Sequence, residues 1–206
     1  MKIKRLIVPA LAVLLCAMVT ACGSKKTDSA ETVELNAITV DQVLADPDSF
    51  VGDTIVLEGV CSHLCRQGGK KAFVVGSADS LMLRCEAFPL MGNAFPKDVV
   101  HRPITVTGIV REQRIDEDAI VAMEAQNEER LQKIAETSGE DSAKRAAAAE
   151  NGCETERAAQ GQQDIITFAD RMADYRAKIA VRQEKEGKPY LSYYYLDAIS
   201  YEVLPD

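Results

Sequence analysis

The periodicity of the chain changes near Asp118, and this change limits the folds that the chain can adopt. Before it, four apolar runs rich in β-branched residues are separated by turns that contain glycine or proline, at 54–61, 71–75, 81–87 and 104–110. Such runs are typical of β-strands. After it come charged, helix-like segments and then one more strand-forming run at 190–204. The order predicts a mainly β fold with an α insertion before the last strand.

Local signals place several boundaries. Thr39 is a suitable N-cap for a short helix that ends before Pro47, with Val40 and Val43 on its apolar side. Gly108 interrupts the fourth strand and predicts a bend or bulge. The longest helix is predicted over 165–185, with Gly187 at its C′ position. Its apolar face contains Ile165, Phe168, Met172, Tyr175 and Ile179.

Short strands joined by glycine-rich turns favour a small antiparallel barrel, which a late strand can close. We therefore predict barrel strands 1–4 within residues 37–116, a helical insertion over 117–188 and the final barrel strand within 189–206. The chain resembles bacterial OB-fold lipoproteins with tRNA-anticodon-binding-like domains. The residues that carry the resemblance are Val40–Leu44, Gly52–Gly59 and Ile104–Val110. It covers about 38–114 and the last strand, includes no catalytic signature, and implies a five-stranded OB-like barrel.

The N-terminus has the features of an export signal. Lys2, Lys4 and Arg5 precede an apolar run that is too short to span a bilayer comfortably. Val19-Thr20-Ala21-Cys22 then resembles the lipobox of bacterial lipoproteins, with valine where leucine is more usual. The resemblance implies a signal peptide over 1–21, acylation of Cys22, for example with palmitate, and a membrane-anchored protein of the cell envelope, on the inner or the outer membrane. The alternative is an ordinary cleaved signal with an incidental cysteine. Residues 22–36 are small and polar and predict a flexible tether.

Composition argues against nucleic acid as a partner. The chain has 24 Lys and Arg residues against 32 Asp and Glu residues, which gives a formal net charge of −8, and aromatic residues make up 5%. Nucleic-acid-binding surfaces are usually basic. No nucleotide-binding or hydrolase motif occurs, so the sequence gives no positive argument for an enzyme. An oligonucleotide- or oligosaccharide-binding OB domain remains an alternative that the fold resemblance implies.

The chemically most distinctive segment is Cys61-Ser62-His63-Leu64-Cys65. If the first strand continues straight through it, the side chains of Cys61, His63 and Cys65 project from one face. Cys85, on a strand that can lie beside it, supplies a fourth soft donor. Thiolates with an imidazole form the ligand set of zinc or copper(I) sites. Tetrahedral coordination requires the segment to curl, because Cys61 and Cys65 are about 13 Å apart in a straight strand.

Other interpretations of these cysteines stay open. Outside the cytoplasm they can form disulfides, as Cys61–Cys65, Cys61–Cys85 or Cys65–Cys85, or they can remain unlinked thiols. Cys153 has no obvious partner in the sequence. Lys70 and Lys71 follow the segment and are candidates for an anion contact, although adjacent strand residues point to opposite faces.

Together these patterns predict a lipid-anchored OB-like binding module of the cell envelope that holds a zinc or copper ion. The alternative is a disulfide-stapled or thiol-redox interaction protein. In both cases the helical insert is a candidate docking arm for another envelope protein.

Overall fold

Five strands close into a barrel in the computed structural model, which describes residues 36–65, 68–136 and 140–205. The barrel strands are β2 (Thr54–Leu64), β3 (Lys71–Val75), β4 (Met82–Glu86), β5 (Pro103–Ile115) and β6 (Leu191–Val203). They pair in the order β2-β3-β4-β6-β5, and β5 pairs with β2 to close the barrel. All of these pairs are antiparallel except β4–β6, which is parallel. This topology confirms the predicted mainly β fold and is compatible with an OB-like barrel.

A short strand and a short helix precede the barrel. β1 (Ala37–Thr39), which the sequence pattern did not reveal, pairs in parallel with the first half of β2. α1 (Val40–Ala45) begins at Thr39, whose side chain accepts a hydrogen bond from the Gln42 amide in a capping box, as predicted. Val40 and Val43 are fully buried in the barrel core. The helix therefore packs its apolar side onto the barrel.

The barrel interior is filled by inward-facing strand residues. Alternation is regular along β4 and along β5 as far as Val110, where every second residue is buried. The fully buried side chains include Leu57, Ile104, Val106, Val110 and Leu196. Cys61 and Cys85 belong to the same core.

Gly108 lies at an irregularity in the β5–β6 pairing, as predicted. Thr107 pairs with Ser200 and Gly108 pairs with Ala198, so that Ile199 is an extra residue in β6. A Cβ atom at position 108 would lie 2.4 Å from the Asp197 carbonyl oxygen. The close approach of the two backbones at this bulge therefore requires glycine.

Four helices lie between β5 and β6 and form the predicted insertion. They are α2 (Glu117–Glu136), α3 (Glu140–Asn151), α4 (Glu154–Ala159) and α5 (Phe168–Glu186). α4 was not predicted, and α5 begins later than expected because Thr167 caps it by accepting from the Asp170 amide. Gly187 ends α5 in the left-handed conformation, with φ of 71°, as predicted.

A second, smaller core joins the insert to the barrel. Met172 and Tyr175 of α5 pack with Ile115 at the end of β5 and Ile120 of α2. Phe168 and Ile179 border this cluster, so the predicted apolar face of α5 does contact the rest of the protein. Ile165 lies before the helix.

The predicted signal peptide, the acylation site Cys22 and the tether up to residue 35 lie outside the described residues. Within the part of the chain that the structure describes, no helix has both the length and the apolar character needed to cross a membrane.

Candidate functional site at the barrel–insert junction

A β-bulge divides the Cys61–Cys65 segment between two environments. Cys61 pairs with Val74 and His63 pairs with Phe73, so Ser62 is an extra residue in β2. The bulge interrupts the alternation of side chains. Cys61 is fully buried in the barrel core, whereas His63 contacts the Phe73 ring at a centroid distance of 6.0 Å, outside the core cluster. A straight strand, the condition under which Cys61, His63 and Cys65 would share one face, is therefore not present.

The two buried cysteines are protonated thiols. Burial is the main cause that raises the pKa of Cys61 to about 11. Burial, with a smaller contribution from Cys61, also raises the pKa of Cys85 well above its usual range. Both side chains are fully buried, and neither forms a disulfide in this structure. Cys61 and Cys85 therefore behave here as small core residues.

His63 and Cys65 instead line a cavity of about 700 Å³ between the end of β2 and the insert. We call it the junction cavity. Its other wall is formed by the end of α3, the turn after it and the start of α4, which contribute Ala148, Asn151, Gly152, Cys153, Glu154, Thr155 and Arg157. Gly152 has a φ of 67° and its amide donates to the Ala148 carbonyl, so α3 ends there in the left-handed conformation. Cys153 is thereby placed opposite the barrel.

An ion-pair cluster beside the junction cavity fixes α4 to the barrel. The Glu156 carboxylate lies 3.0 Å from Lys71 Nζ and 2.7 Å from Arg84 Nη1, measured to Oε1. The Arg84 guanidinium also lies over the Tyr195 ring, 5.0 Å from its centroid. Burial opposes the ionisation of Glu156, but the two cations outweigh it, and the pKa of this carboxyl group is lowered. Glu156 is therefore ionised at neutral pH.

The two lysines predicted as anion contacts have intramolecular partners. Lys71 pairs with Glu156, and Lys70 Nζ lies 5.4 Å from the centroid of the Phe88 ring. An anion at Lys71 would have to displace the Glu156 carboxylate. Through Glu156, α4 contacts side chains of both β3 and β4.

Two arginines lie at the insert side of the junction cavity, where Glu154 also forms part of the wall. Arg157 Nη1 donates to the Ile165 carbonyl at 2.7 Å, and Arg157 Nε is buried without a hydrogen-bond partner among the described residues. Arg171 is 7% exposed and donates to the carbonyls of Asn151 and Ile166. The pKa of Arg171 is lowered, mainly by burial and secondly by the charge of Arg157. The Glu150 carboxylate acts in the opposite direction but does not cancel these two effects. Both guanidinium groups donate to backbone carbonyls.

Comparison with known proteins adds no further constraint. No family model, no curated protein and no solved structure matches the chain.

The predicted zinc or copper ligands are therefore divided between two places. Cys61 and Cys85 are in the barrel core, and His63 and Cys65 are at the junction cavity. Among the described residues, no three His, Cys, Asp or Glu side chains are grouped closely enough to hold a metal ion. Metal binding itself stays a prediction.

Two residues of the junction cavity had no signal in the sequence analysis. No partner for Cys153 could be recognised along the chain, because Cys65, which lines the same cavity, lies 88 positions earlier. Arg157 was one basic residue among many in a charged helical stretch. The Asn151-Gly152 turn marked the end of α3, but it did not indicate which surface the turn would contact.

Proposed function

We propose that this protein is a lipid-anchored binding module of the cell envelope whose barrel and helical insert together hold a small anionic ligand in the junction cavity. The anchor in this proposal is the acylated Cys22 that the lipobox resemblance implies. The observation that carries the proposal is a cavity of small-molecule size at the junction, with Arg157 in its wall.

The size of the junction cavity supports this proposal. Pockets for small ligands usually measure about 300–1,000 Å³ and combine apolar walls with a few polar groups. The junction cavity, at about 700 Å³, falls within this range. Its polar residues are His63, Asn151, Glu154, Thr155 and Arg157, together with the thiols of Cys65 and Cys153. These groups can orient a ligand within a cleft that two parts of the fold form together.

Two neighbouring arginines on the insert side of the cavity, Arg157 and Arg171, support an anion in particular, although Glu154 also lies in the wall. The chain as a whole carries a formal charge of −8, yet Arg157 and Arg171 lie close enough for one charge to lower the pKa of the other. A carboxylate or phosphate group beside Arg157 would offset this repulsion and accept hydrogen bonds from its guanidinium.

We expect the Arg157→Gln variant to bind such an anion about 10- to 100-fold more weakly than the wild type, because it loses a charge-assisted hydrogen bond worth about 1.5–3 kcal/mol. Isothermal titration calorimetry of the full-length protein in detergent, with inorganic phosphate, succinate and citrate as probes, would measure this loss.

The matched control is Arg145→Gln, which removes the same charge from an exposed position of α3. It should leave the affinity within about twofold of the wild type, since a distant surface charge is largely screened. Equal losses in the two variants would indicate a general charge effect. No binding of any probe by the wild type would contradict an anion site.

A transition-metal ion is a second candidate ligand, which the positions of His63, Cys65 and Cys153 around one cavity favour. These residues differ from the set that the sequence predicted, because Cys153 replaces Cys61 and Cys85. Metal binding would require their side chains to turn toward a common point.

Equilibrium dialysis with Zn²⁺ and Cu⁺ under reducing conditions tests this candidate. We expect Cys65→Ser to reduce metal binding at least tenfold and Arg157→Gln to leave it unchanged. If Cys85→Ser abolished metal binding and Cys153→Ser did not, the metal site would be the one that the sequence predicted. Absence of bound metal in the wild type would remove the candidate.

A further inference from the structure

We propose that Cys65 and Cys153 are a redox-active pair that forms a disulfide between the barrel and the insert. The observation that suggests this is that both cysteines line the junction cavity, one from the end of β2 and one from the turn between α3 and α4. Both are partly exposed free thiols in this structure. The inference is independent of the ligand proposed above.

The two thiols line one cavity and lie close enough for a charge on Cys65 to affect Cys153. Each is in the wall of the same cavity, with His63 beside Cys65 and Gly152 before Cys153. Burial is the main cause that raises the pKa of Cys153. A charge on Cys65 makes a smaller contribution in the same direction. Cys61 and Cys85, by contrast, are fully buried in the barrel core, where a large oxidant cannot approach them.

The hydrogen-bond network holds the two cysteine-bearing segments together. The Cys65 amide donates to the Lys71 carbonyl at 2.9 Å, across the hairpin that joins β2 and β3. The Lys71 side chain reaches Glu156 of α4 at 3.0 Å. Cys153 is the N-cap residue of α4, and its carbonyl accepts from the Arg157 amide at 3.0 Å. One ion pair thus links the segment of Cys65 to the helix that begins at Cys153.

Such positioning raises the effective concentration of one thiol at the other, which favours an intramolecular disulfide over a mixed one. Formation of the bond requires the two Cα atoms to lie within about 4.4–6.8 Å. Cys65 directly follows β2 and Cys153 directly precedes α4, so each cysteine lies at the end of a regular element and not within one.

The oxidant in this proposal is a small-molecule or protein disulfide of an oxidising compartment. One cysteine thiolate attacks a sulfur of that disulfide, which releases one thiol and leaves a mixed disulfide on the protein. The second cysteine thiolate then attacks the protein sulfur and releases the second thiol. In total, two cysteine thiols are oxidised to one disulfide, and one disulfide of the oxidant is reduced to two thiols.

The consequence is a covalent link between the two walls of the junction cavity. In the reduced protein the turn at Cys153 is held by noncovalent contacts, chiefly those of Glu156. In the oxidised protein it is fixed to the end of β2. The redox state of the pair would therefore set the rigidity of the cavity and of the attached helices α3 and α4.

The test is to equilibrate the full-length protein in detergent with a series of reduced-to-oxidised glutathione ratios, quench with acid, alkylate and map the cysteine peptides by mass spectrometry. We expect a linked peptide that contains Cys65 and Cys153, and we expect Cys61 and Cys85 to be recovered as free thiols. In Cys153→Ser, Cys65 should carry a glutathione mixed disulfide instead.

The Glu156→Gln variant tests the role of the ion pair. We expect the equilibrium constant for forming the Cys65–Cys153 disulfide to fall about tenfold, because the weakened contact lowers the effective concentration of the thiols. The matched control is Glu129→Gln, which removes a carboxylate from an exposed ion pair with Lys133 on α2. It should change the constant by less than about twofold.

The wild-type measurement decides the proposal without depending on whether any variant folds. Absence of the Cys65–Cys153 peptide at every glutathione ratio would overturn it. A dominant Cys61–Cys65 or Cys65–Cys85 link would overturn it as well, and would support one of the pairings that the sequence left open.

Discussion

The Gly108→Ala variant is expected to unfold with a free energy about 3 kcal/mol lower than that of the wild type. The added Cβ atom would lie 2.4 Å from the Asp197 carbonyl oxygen and 2.8 Å from Leu196 Cγ. Backbone cannot move aside as the end of a flexible side chain can. Overpacking of this kind typically costs about 1–3 kcal/mol, and the backbone contact places this site at the upper end.

Urea unfolding followed by circular dichroism would measure the change. Gly108 is at the bulge between β5 and β6, and β6 carries the chain back from the insert to close the barrel. A suitable control is Thr105→Ala in the same strand, which adds no atoms and should cost less than about 1 kcal/mol. If Gly108→Ala were as stable as this control, the close approach of β5 and β6 at the bulge would be incorrect.

The second large effect is expected for Glu156→Gln, which should destabilise the docking of α4 by about 2 kcal/mol at neutral pH. The substitution leaves Lys71 and Arg84 without their shared carboxylate. Removing one partner of a buried ion pair costs about 3–5 kcal/mol. The value is lower here because the Glu156 side chain is 25% exposed and glutamine keeps a hydrogen-bond acceptor.

This effect should depend on pH in a defined direction. The pKa of Glu156 in the folded protein is below its ordinary value of 4.5. The stability that its ionised form contributes is therefore fully present above pH 4.5 and is lost as the pH falls through the lowered pKa. The difference in unfolding free energy between wild type and Glu156→Gln should be constant near neutral pH and should shrink in acid.

Hydrogen exchange of the α3–α4 amides, measured by mass spectrometry at about pH 7, would show whether the loss is local. Faster exchange in α4 with unchanged exchange in the barrel strands is the expected result. Glu129→Gln, with its exposed partner Lys133, is the control and should cost less than about 1 kcal/mol. Uniform acceleration throughout the protein would instead indicate that Glu156 supports the whole fold.

Local signals in the sequence indicated the fold better than they indicated the candidate site. Thr39, Gly108 and Gly187 have local conformational roles, and their residue types were sufficient to indicate a cap, a bulge and a helix end. The position of the insertion followed from the change in periodicity. The candidate site was less accessible, because the single extra residue at Ser62 reverses which side chains face inward.

The sequence by itself determined the order of the barrel strands, the place of the helical insertion and the amphipathic face of α5, because turn residues and hydrophobic periodicity are local properties. Only the tertiary structure decided that Cys61 and Cys85 are core residues and that Cys65 shares a cavity with Cys153. It also decided that Glu156 is the partner of Lys71. Contacts between positions 65 and 153, or 71 and 156, depend on how the insert packs onto the closed barrel. Packing of this kind depends on the complementarity of two surfaces whose residues are far apart in the sequence. Such complementarity leaves no periodic signal along the chain.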